Sequence, residues 1–217
     1  QLRQTLNVTV VVVNLQEGSF DPLSIGSDMK KVHGVGINDG KCKTLIDGVR
    51  CKTYLKWKSL LFRVYNDKAL KHRSNYVGCS VCDDWLVYSN FKKWYENQVG
   101  FNLGFELDKD LLVKGNKCYS PELCLLVPSE VNKFMISRAK DVNNGLPLGV
   151  HIHTNSNKYK AQINRDGKRK CLGTFTNPDD AFQAYKFAKE EQARNLAEKY
   201  KDVVDPRVYE ALLSYKV

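Results

Sequence analysis

The sequence predicts an α+β protein in which a region of short strands and helices precedes a three-stranded antiparallel sheet packed on one long helix. Two observations lead to this prediction. In the first half of the chain, apolar residues recur at helical spacing, as Tyr54, Trp57, Leu61 and Val64 illustrate. After residue 149, three short alternating segments are separated by turn signals, and a long helical pattern follows them.

The bulk composition limits the classes of function. The chain has 217 residues, enough for one large domain or two small ones. Its formal net charge of +10 favours a polyanionic partner, either nucleic acid or an anionic membrane surface. Nucleic acid is the commoner of the two, so no membrane partner is expected, and no apolar run reaches the ~20 residues of a membrane helix. Seven scattered cysteines are atypical of a secreted disulfide framework, which favours an intracellular protein.

The first half of the chain predicts the following elements in order. Residues 1–30 contain one strand-like run, at 8–13, and a connection rich in Gly, Ser, Asp and Pro. Short strands or turns are expected over residues 33–51. The helix that begins near Tyr54 leaves a basic outer face, formed by Lys52, Lys56, Lys58 and Arg63. A polar loop over residues 66–75 is expected to follow.

The middle of the chain predicts two further helices around a pair of strands. A helical region covers about residues 83–98, with Ser89 and Asn90 as a cap or restart. Two short strands are expected on either side of a turn at residues 114–117. Ser129 is a suitable N-cap for a third helix, which is expected to end near Lys140.

The last part of the chain predicts a sheet and its covering helix. Its three strands are expected at residues 149–153, 158–164 and 170–175, with a hairpin turn at Asp166 and Gly167. Asn177 is the predicted N-cap of the long helix, which continues toward residue 200; a short helix is expected after Pro206.

Strand alternation predicts which residues of the sheet are available to a ligand. Tyr159, Ala161 and Ile163 should face the helix, because residues two apart share a face of a strand. A basic outward face with amide and imidazole groups can enter the major groove of DNA, although a solvated basic face is the alternative. The candidate DNA-binding residues are His151, His153, Lys158, Lys160, Gln162, Arg165, Lys168, Arg169 and Lys170.

Four segments of residues 149–217 together resemble the apetala-type, or ethylene-response-factor, DNA-binding domain. They lie at 149–150, 158–163, 172–175 and 179–185. The resemblance implies that the sheet reads duplex DNA. His151 and His153 stand at the family's base-reading arginines, Gln162 at an acidic position and Cys171 at a tryptophan. These substitutions leave the target sequence open.

Residues 31–142 resemble phage-encoded HNH-like, or His-Me finger, endonucleases of the homing type, and residues 143–148 are the expected linker to the second domain. The segments that carry the resemblance are residues 33–39, Tyr54 with Trp57, 78–82 with Trp85, 89–94, 107–110, 115–117 and 119–122. It implies a ββα finger that cleaves duplex DNA with Mg²⁺ or Mn²⁺, in the host cytoplasm for a phage-encoded protein.

The HNH resemblance assigns roles at the candidate catalytic site. Asp108 and Asn132 are the implied metal ligands, Lys109 stands at the position of the general base, and the motif's middle asparagine falls near Glu122. Asp110 is a further catalytic or metal-binding candidate, with a histidine from elsewhere, His33 or His72. A lysine base needs a pKa well below ~10.4, whereas two flanking carboxylates raise it. A solvated hairpin with Asp–Lys pairing is the alternative interpretation.

Other interpretations remain at this point. Cys79, Cys82, Cys118 and Cys124 could form a structural Zn²⁺ site or could be buried free thiols. The favoured function is Mg²⁺-dependent cleavage of duplex DNA. The main alternative is a non-catalytic DNA-binding protein, regulatory or genome-associated, with a degenerate nuclease region; a virion or host-factor-binding protein is a third. The sequence does not define the oligomeric state.

Overall fold

The computed structural model describes residues 31–135, 145–154, 156–165 and 167–217. They lie within one compact unit, Lys31–Val217, which mixes helices and short strands as predicted. The predicted strand at 8–13, its connection up to residue 30 and the predicted helix end near Lys140 lie outside the described residues. So do residues 141–144. No helix among the described residues has the length and apolar character needed to span a bilayer.

The first elements are a two-residue hairpin and a long helix. β1 (Leu45–Ile46) pairs antiparallel with β2 (Val49–Arg50), and α1 (Lys52–Tyr65) follows directly. The predicted helix is therefore confirmed. Its buried face fits the helical spacing of the apolar side chains, with Trp57, Leu60 and Leu61 fully buried.

The prediction of a polar loop over residues 66–75 is wrong. This segment forms α2 (Asp67–His72) and a 3₁₀ turn (Ser74–Tyr76). Asn66 caps α2, because its Oδ1 accepts a hydrogen bond from the backbone N–H of Ala69 at 3.1 Å. Ala69 is the one buried residue of this helix, so the segment has no apolar periodicity that a sequence pattern would detect.

The predicted helix at residues 83–98 is divided into α3 (Asp83–Leu86) and α4 (Tyr88–Glu96). The break is at Val87, two positions before the expected restart at Ser89 and Asn90. Val87 is extended and forms a parallel bridge with Ile37. The Ile37 N–H donates to the Leu86 carbonyl and its carbonyl accepts from the Tyr88 N–H, at 2.8 and 2.9 Å, so this distant segment separates the two helices.

The main core is aromatic and lies between α1 and α4. Trp57, Trp85, Tyr88 and Phe91 are each 0% exposed. The indole N–H of Trp57 donates to the Trp85 carbonyl at 2.8 Å, so the polar edge of this ring is satisfied inside the core. At Gly36 a Cβ atom would lie 2.3 Å from Leu61 Cδ1, so the absence of a side chain lets this strand segment approach α1.

The next strands pair differently from the prediction. β4 (Glu106–Asp108) pairs antiparallel with β6 (Leu125–Val127), and β5 (Cys118–Tyr119) pairs parallel with β3 (Ser80–Val81). The two segments that flank residues 114–117 therefore do not form a hairpin with each other. α5 (Ser129–Met135) follows β6, so the local order remains strand, strand, helix.

The predicted sheet and long helix are confirmed. β7 (Val150–His153), β8 (Lys158–Arg165) and β9 (Lys168–Phe175) form an antiparallel sheet in sequence order. α6 (Pro178–Tyr200) follows it, and α7 (Pro206–Leu213) confirms the short helix after Pro206. Asn177 caps α6 as predicted, since its Oδ1 accepts from the Asp180 N–H at 2.8 Å.

Helix α6 belongs to two hydrophobic cores. Its first half, with Ala181, Tyr185 and Ala188, packs in the small clusters beneath the sheet. Its second half belongs to the main core, together with residues of α7; the members from these two helices are Ala193, Leu196, Ala197, Val208 and Leu212. One continuous helix therefore supports the sheet and completes the core formed by α1, α4 and β6.

Candidate nucleic-acid interface and strand–helix site

The register of the C-terminal sheet shows which side chains lie opposite α6. Ala161 and Ile163 are buried and Tyr159 is half-buried against the helix, as predicted. Residues opposite one another on antiparallel strands share a face, and His151 pairs with Lys160 and His153 with Lys158. These four side chains and Gln162 therefore lie on the face away from α6, which is called the outer face below.

The hairpin end of the sheet divides the predicted basic set. Lys170 lies opposite the buried Ile163 and Lys168 lies opposite Arg165, so all three cations are on the α6 side. Arg165 confirms this placement, because its guanidinium contacts Glu191 of α6 at 3.2 Å. Arg169 lies opposite Asn164 on the outer face. Arg165, Lys168 and Lys170, predicted as DNA-binding residues, therefore lie on the face opposite the outer face.

A β-bulge determines on which face the β9 cations lie, whereas Arg165 follows from alternation along β8. Ala161 pairs with Gly173 but Gln162 pairs with Cys171, which leaves Leu172 as the extra residue on β9. One additional residue moves every following side chain to the opposite face. The positions of the cations on β9 therefore depend on a pairing irregularity, which residue types alone do not reveal.

The outer face is basic and carries groups that can bind nucleic acid. Lys158, Lys160 and Arg169 supply three cations, and none of the described strand residues on this face is acidic. Cations of this kind contact phosphates, whereas amide and imidazole groups such as those of Gln162 and His151 can hydrogen-bond base edges. The face thus combines positioning and base-reading chemistry.

Asp108 organises the turn that follows β4. Its Oδ1 accepts hydrogen bonds from the backbone N–H groups of Asp110 and Leu111, at 2.9 and 2.7 Å. Burial raises the pKa of Asp108, although these two hydrogen bonds oppose the shift. The side chain predicted as a metal ligand therefore uses one oxygen to stabilise the backbone.

Lys109 is enclosed rather than solvated, with 7% of its surface exposed. Its ammonium donates to both carboxylate oxygens of Asp110, at 2.7 and 2.8 Å, and to the Asn116 carbonyl at 2.6 Å. An ammonium has three donors, and these three contacts use them. A general base must carry a free lone pair, so the arrangement favours Asp–Lys pairing, the alternative predicted for this segment.

Asn116 connects the two ends of this loop. Its Nδ2 donates to the carbonyls of Lys109 and Cys118, at 2.9 and 2.7 Å, and its Oδ1 accepts from the Cys118 N–H at 2.9 Å. The sequence assigned the motif's middle asparagine near Glu122, whereas it is Asn116 that makes these backbone contacts. Glu122 is instead exposed, and a hydrogen bond from Ser120 lowers the pKa of its carboxylate.

Asn132 of α5 contacts Glu106 of β4. Its Nδ2 donates to Glu106 Oε2 at 2.6 Å, so its partner is two residues before Asp108, with which it was predicted to share a metal. Glu106 was missed because it lies outside the Asp-Lys-Asp triplet that marks the motif. Both side chains line a cavity of about 280 Å³, whose other lining residues are Lys56, Ser59, Arg63, Phe91, Tyr95 and Leu107.

The histidines considered as additional ligands lie on other elements. His33 packs its ring against Phe62 of α1, with a centroid distance of 5.3 Å, and burial together with Lys58 lowers its pKa. His72 is in the last turn of α2. Neither position supports the predicted combination of a histidine with Asp110.

The donors near β4 and α5 are suited to a hard cation. The described residues contain no group of three or more His, Cys, Asp or Glu side chains arranged to hold a metal. Mg²⁺, however, commonly binds through one or two carboxylates, water and substrate phosphate. The oxygens of Glu106, Asp108 and Asn132 are donors of this type, so the residues fit a weakly held magnesium ion.

The cysteines are free thiols. Parallel pairing of β3 with β5 brings the segments of Cys82 and Cys118 together, and Cys124 is fully buried. Burial raises the pKa of Cys82, and that of Cys124 to about 12, so these two side chains are protonated near neutral pH. Of the four cysteines considered for zinc, Cys124 is buried, and Cys79, Cys82 and Cys118 are half-buried.

No protein-family model, curated protein or solved structure matches the chain. The inference of function therefore depends on the geometry of the described residues and on the motifs quoted above. Of these, the outer face of the sheet offers the largest set of convergent groups.

Proposed function

We propose that the protein binds duplex DNA through the outer face of the β7–β8–β9 sheet. The observation that carries this proposal is the register of the sheet, which puts six side chains on the outer face, away from α6. None of the six is a carboxylate. They are His151, His153, Lys158, Lys160, Gln162 and Arg169. The net charge of +10 and the apetala-type motifs support the same partner.

Within the outer face, some side chains are suited to phosphates and others to base edges. Lys158 and Lys160 extend from the central strand and are placed to contact phosphates, which hold a protein in register on the duplex. Gln162, His151 and His153 carry donors and acceptors for base edges in the major groove. Because α6 covers the opposite side of the sheet, the strands are supported while the outer face meets DNA.

Removing the two central lysines tests the proposal. In the Lys158→Gln/Lys160→Gln variant we expect weaker duplex binding and a salt dependence, log K against log [salt], that is shallower by about one unit for each lost phosphate contact. Fluorescence anisotropy of a labelled duplex, repeated over a range of salt concentrations, measures both quantities.

A matched control uses two lysines from the other side of the same sheet. Lys168→Gln/Lys170→Gln removes the same charge from side chains placed on the α6 side. We expect this variant to keep a slope closer to wild type. Equal losses in the two variants would show that general charge, rather than the outer face, binds DNA. An unchanged Lys158→Gln/Lys160→Gln variant would contradict the proposal directly.

We infer a second function, Mg²⁺- or Mn²⁺-dependent cleavage of the bound duplex by an HNH-like finger formed by β4, β6 and α5. The observation that favours it is the contact pattern within this unit: Asn132 on the helix meets Glu106 on the strand, and Asn116 holds the Lys109 carbonyl. A bound divalent ion would stabilise charge on the leaving phosphate oxygen. Asp108, Glu106 and Asn132 would hold it, while Lys109 keeps Asp110 in place.

Plasmid nicking tests cleavage separately from binding. We expect wild type to nick supercoiled DNA with Mg²⁺ or Mn²⁺ but not with chelator, and Asp108→Ala to reduce nicking by at least about tenfold while DNA affinity is kept. Glu122→Gln is the control, because this exposed carboxylate makes its side-chain hydrogen bond with Ser120. Wild type that never nicks would leave the non-catalytic DNA-binding protein as the correct alternative.

A further inference from the structure

We infer that the cavity between α1 and the β4–α5 unit binds one phosphodiester group of the DNA backbone, an inference that rests on the proposed DNA-binding function. Lys56, Ser59 and Arg63 line it from α1, and Glu106 and Asn132 line it from β4 and α5. None of the lining residues belongs to the β7–β8–β9 sheet. The cavity is therefore a second contact region for the same partner.

The polar side chains of the cavity are held in place by other contacts. Arg63 Nε donates to the Ser59 carbonyl at 3.3 Å, and its guanidinium lies over the Tyr76 ring at 5.5 Å from the centroid. A guanidinium fixed in this manner loses less conformational entropy when it binds a phosphate. Across the cavity, the bond from Asn132 keeps the Glu106 carboxylate on the opposite wall.

The charge of the cavity matches a phosphodiester. Lys56 and Arg63 are opposed by Glu106 alone, which leaves a single net positive charge, equal and opposite to that of one backbone phosphate. Phe91 and Tyr95 complete the lining with aromatic rings. The hydroxyl of Ser59 adds a neutral donor for a phosphate oxygen.

The surrounding helix supports an extended polyanion rather than an isolated ion. α1 contains four cations, Lys52, Lys56, Lys58 and Arg63, and no acidic residue. Lys52 lies one helical turn before Lys56, and both residues are exposed. A strand of nucleic acid that places one phosphate in the cavity can therefore continue along the cations of α1.

Two measurements on the full chain test the phosphate site. In wild type, dimethyl phosphate should shift the NMR signals of the Arg63 Nε–H and the Asn132 side-chain amide, and Lys56→Gln/Arg63→Gln should remove the shift of the Asn132 amide. The same variant should bind duplex DNA with a salt slope shallower by about one unit, corresponding to one lost phosphate contact.

Lys68→Gln/Arg194→Gln is the matched control, since it removes the same charges from exposed positions outside the cavity. It should keep the dimethyl phosphate shifts and a salt slope steeper than that of the cavity variant. Chemical denaturation of each variant confirms that the fold is retained before the comparison is made.

The outcomes separate this inference from the proposed function. Three results together would overturn the phosphate site and leave the DNA-binding sheet. Lys56→Gln/Arg63→Gln would keep the wild-type salt slope, dimethyl phosphate would shift no cavity signal in wild type, and Lys158→Gln/Lys160→Gln would lose binding. No effect of either double variant would overturn both. Shifts with inorganic phosphate but not with dimethyl phosphate would assign the cavity to free phosphate and overturn the backbone assignment.

Discussion

Gly149 illustrates how a single residue controls the contact between the sheet and its helix. Its φ is +75°, in the left-handed region, and a Cβ atom there would lie 2.1 Å from Tyr185 Cδ2. Its carbonyl accepts a hydrogen bond from the Gln162 N–H at 2.9 Å, so the backbone cannot move away without loss of pairing. Close approach and positive φ both require glycine at this position.

We therefore expect Gly149→Ala to lower the free energy of unfolding substantially. The left-handed backbone costs about 1–2 kcal/mol for an L-residue. Contact with the Tyr185 ring adds overpacking, which typically costs about 1–3 kcal/mol. Urea denaturation followed by circular dichroism would measure the total loss in free energy of unfolding.

Gly167→Ala supplies the matched control in the same sheet. Its φ is +71°, but no atom lies within 4 Å of the added Cβ. The loss in free energy of unfolding should therefore be only the cost of the left-handed backbone, about 1–2 kcal/mol. Equal losses for the two substitutions would show that the Tyr185 contact relaxes without cost.

Single residues also show the limit of sequence-based prediction at the candidate catalytic site. The Asp–Lys pairing was predictable, because Lys109 and Asp110 are neighbours in the chain. The third partner of Lys109, the Asn116 carbonyl, was not, since it depends on how the intervening loop closes. Glu106 was missed for the same reason: its partner Asn132 is on a separate element, and their contact is purely tertiary.

Among the elements, the long ones and those with local sequence signals were predictable, whereas short elements stabilised by tertiary contacts were not. α1 and α6 have long apolar patterns, and the turns between the strands of the sheet have strong local signals. α2 has six residues and is defined by the Asn66 cap. β5 has two residues, and its partner β3 is far away in the sequence, so its parallel pairing follows from packing rather than local propensity.

α7 allows a direct test of core packing within one helix. Leu212 is 0% exposed in the main core, whereas its neighbour Leu213 is 42% exposed. We expect Leu212→Ala to reduce the free energy of unfolding by about 2–5 kcal/mol, because it removes buried methyl groups and leaves a cavity. Guanidinium denaturation gives the difference from wild type.

Leu213→Ala changes the same residue type in the same helix turn. With its side chain partly in solvent, it should cost below about 1 kcal/mol. The difference between the two variants isolates burial from helix propensity, which is identical for the pair. A Leu212→Ala variant as stable as Leu213→Ala would mean that α7 does not contribute to the core.

At the level of the whole molecule, α6 connects the sheet to the helical core. Lys189, near its middle, donates to the Phe134 carbonyl at 3.0 Å and lies 3.7 Å from the centroid of that ring. Burial lowers the pKa of Lys189 to about 8. Farther along, Lys199 and Tyr200 both bond Glu130 of α5. The helix is thus joined to α5 by polar contacts as well as by apolar packing.

This shared helix has a consequence for how such a protein can be rearranged during evolution. A fragment that started in the connection before β7 would retain the sheet but expose the second half of α6 and α7. The apolar side chains laid bare would be Ala193, Leu196, Ala197, Val208 and Leu212. A recombination event that transplanted the sheet alone would therefore need its junction inside α6, near Lys189, rather than in the connection that separates the two regions in the sequence.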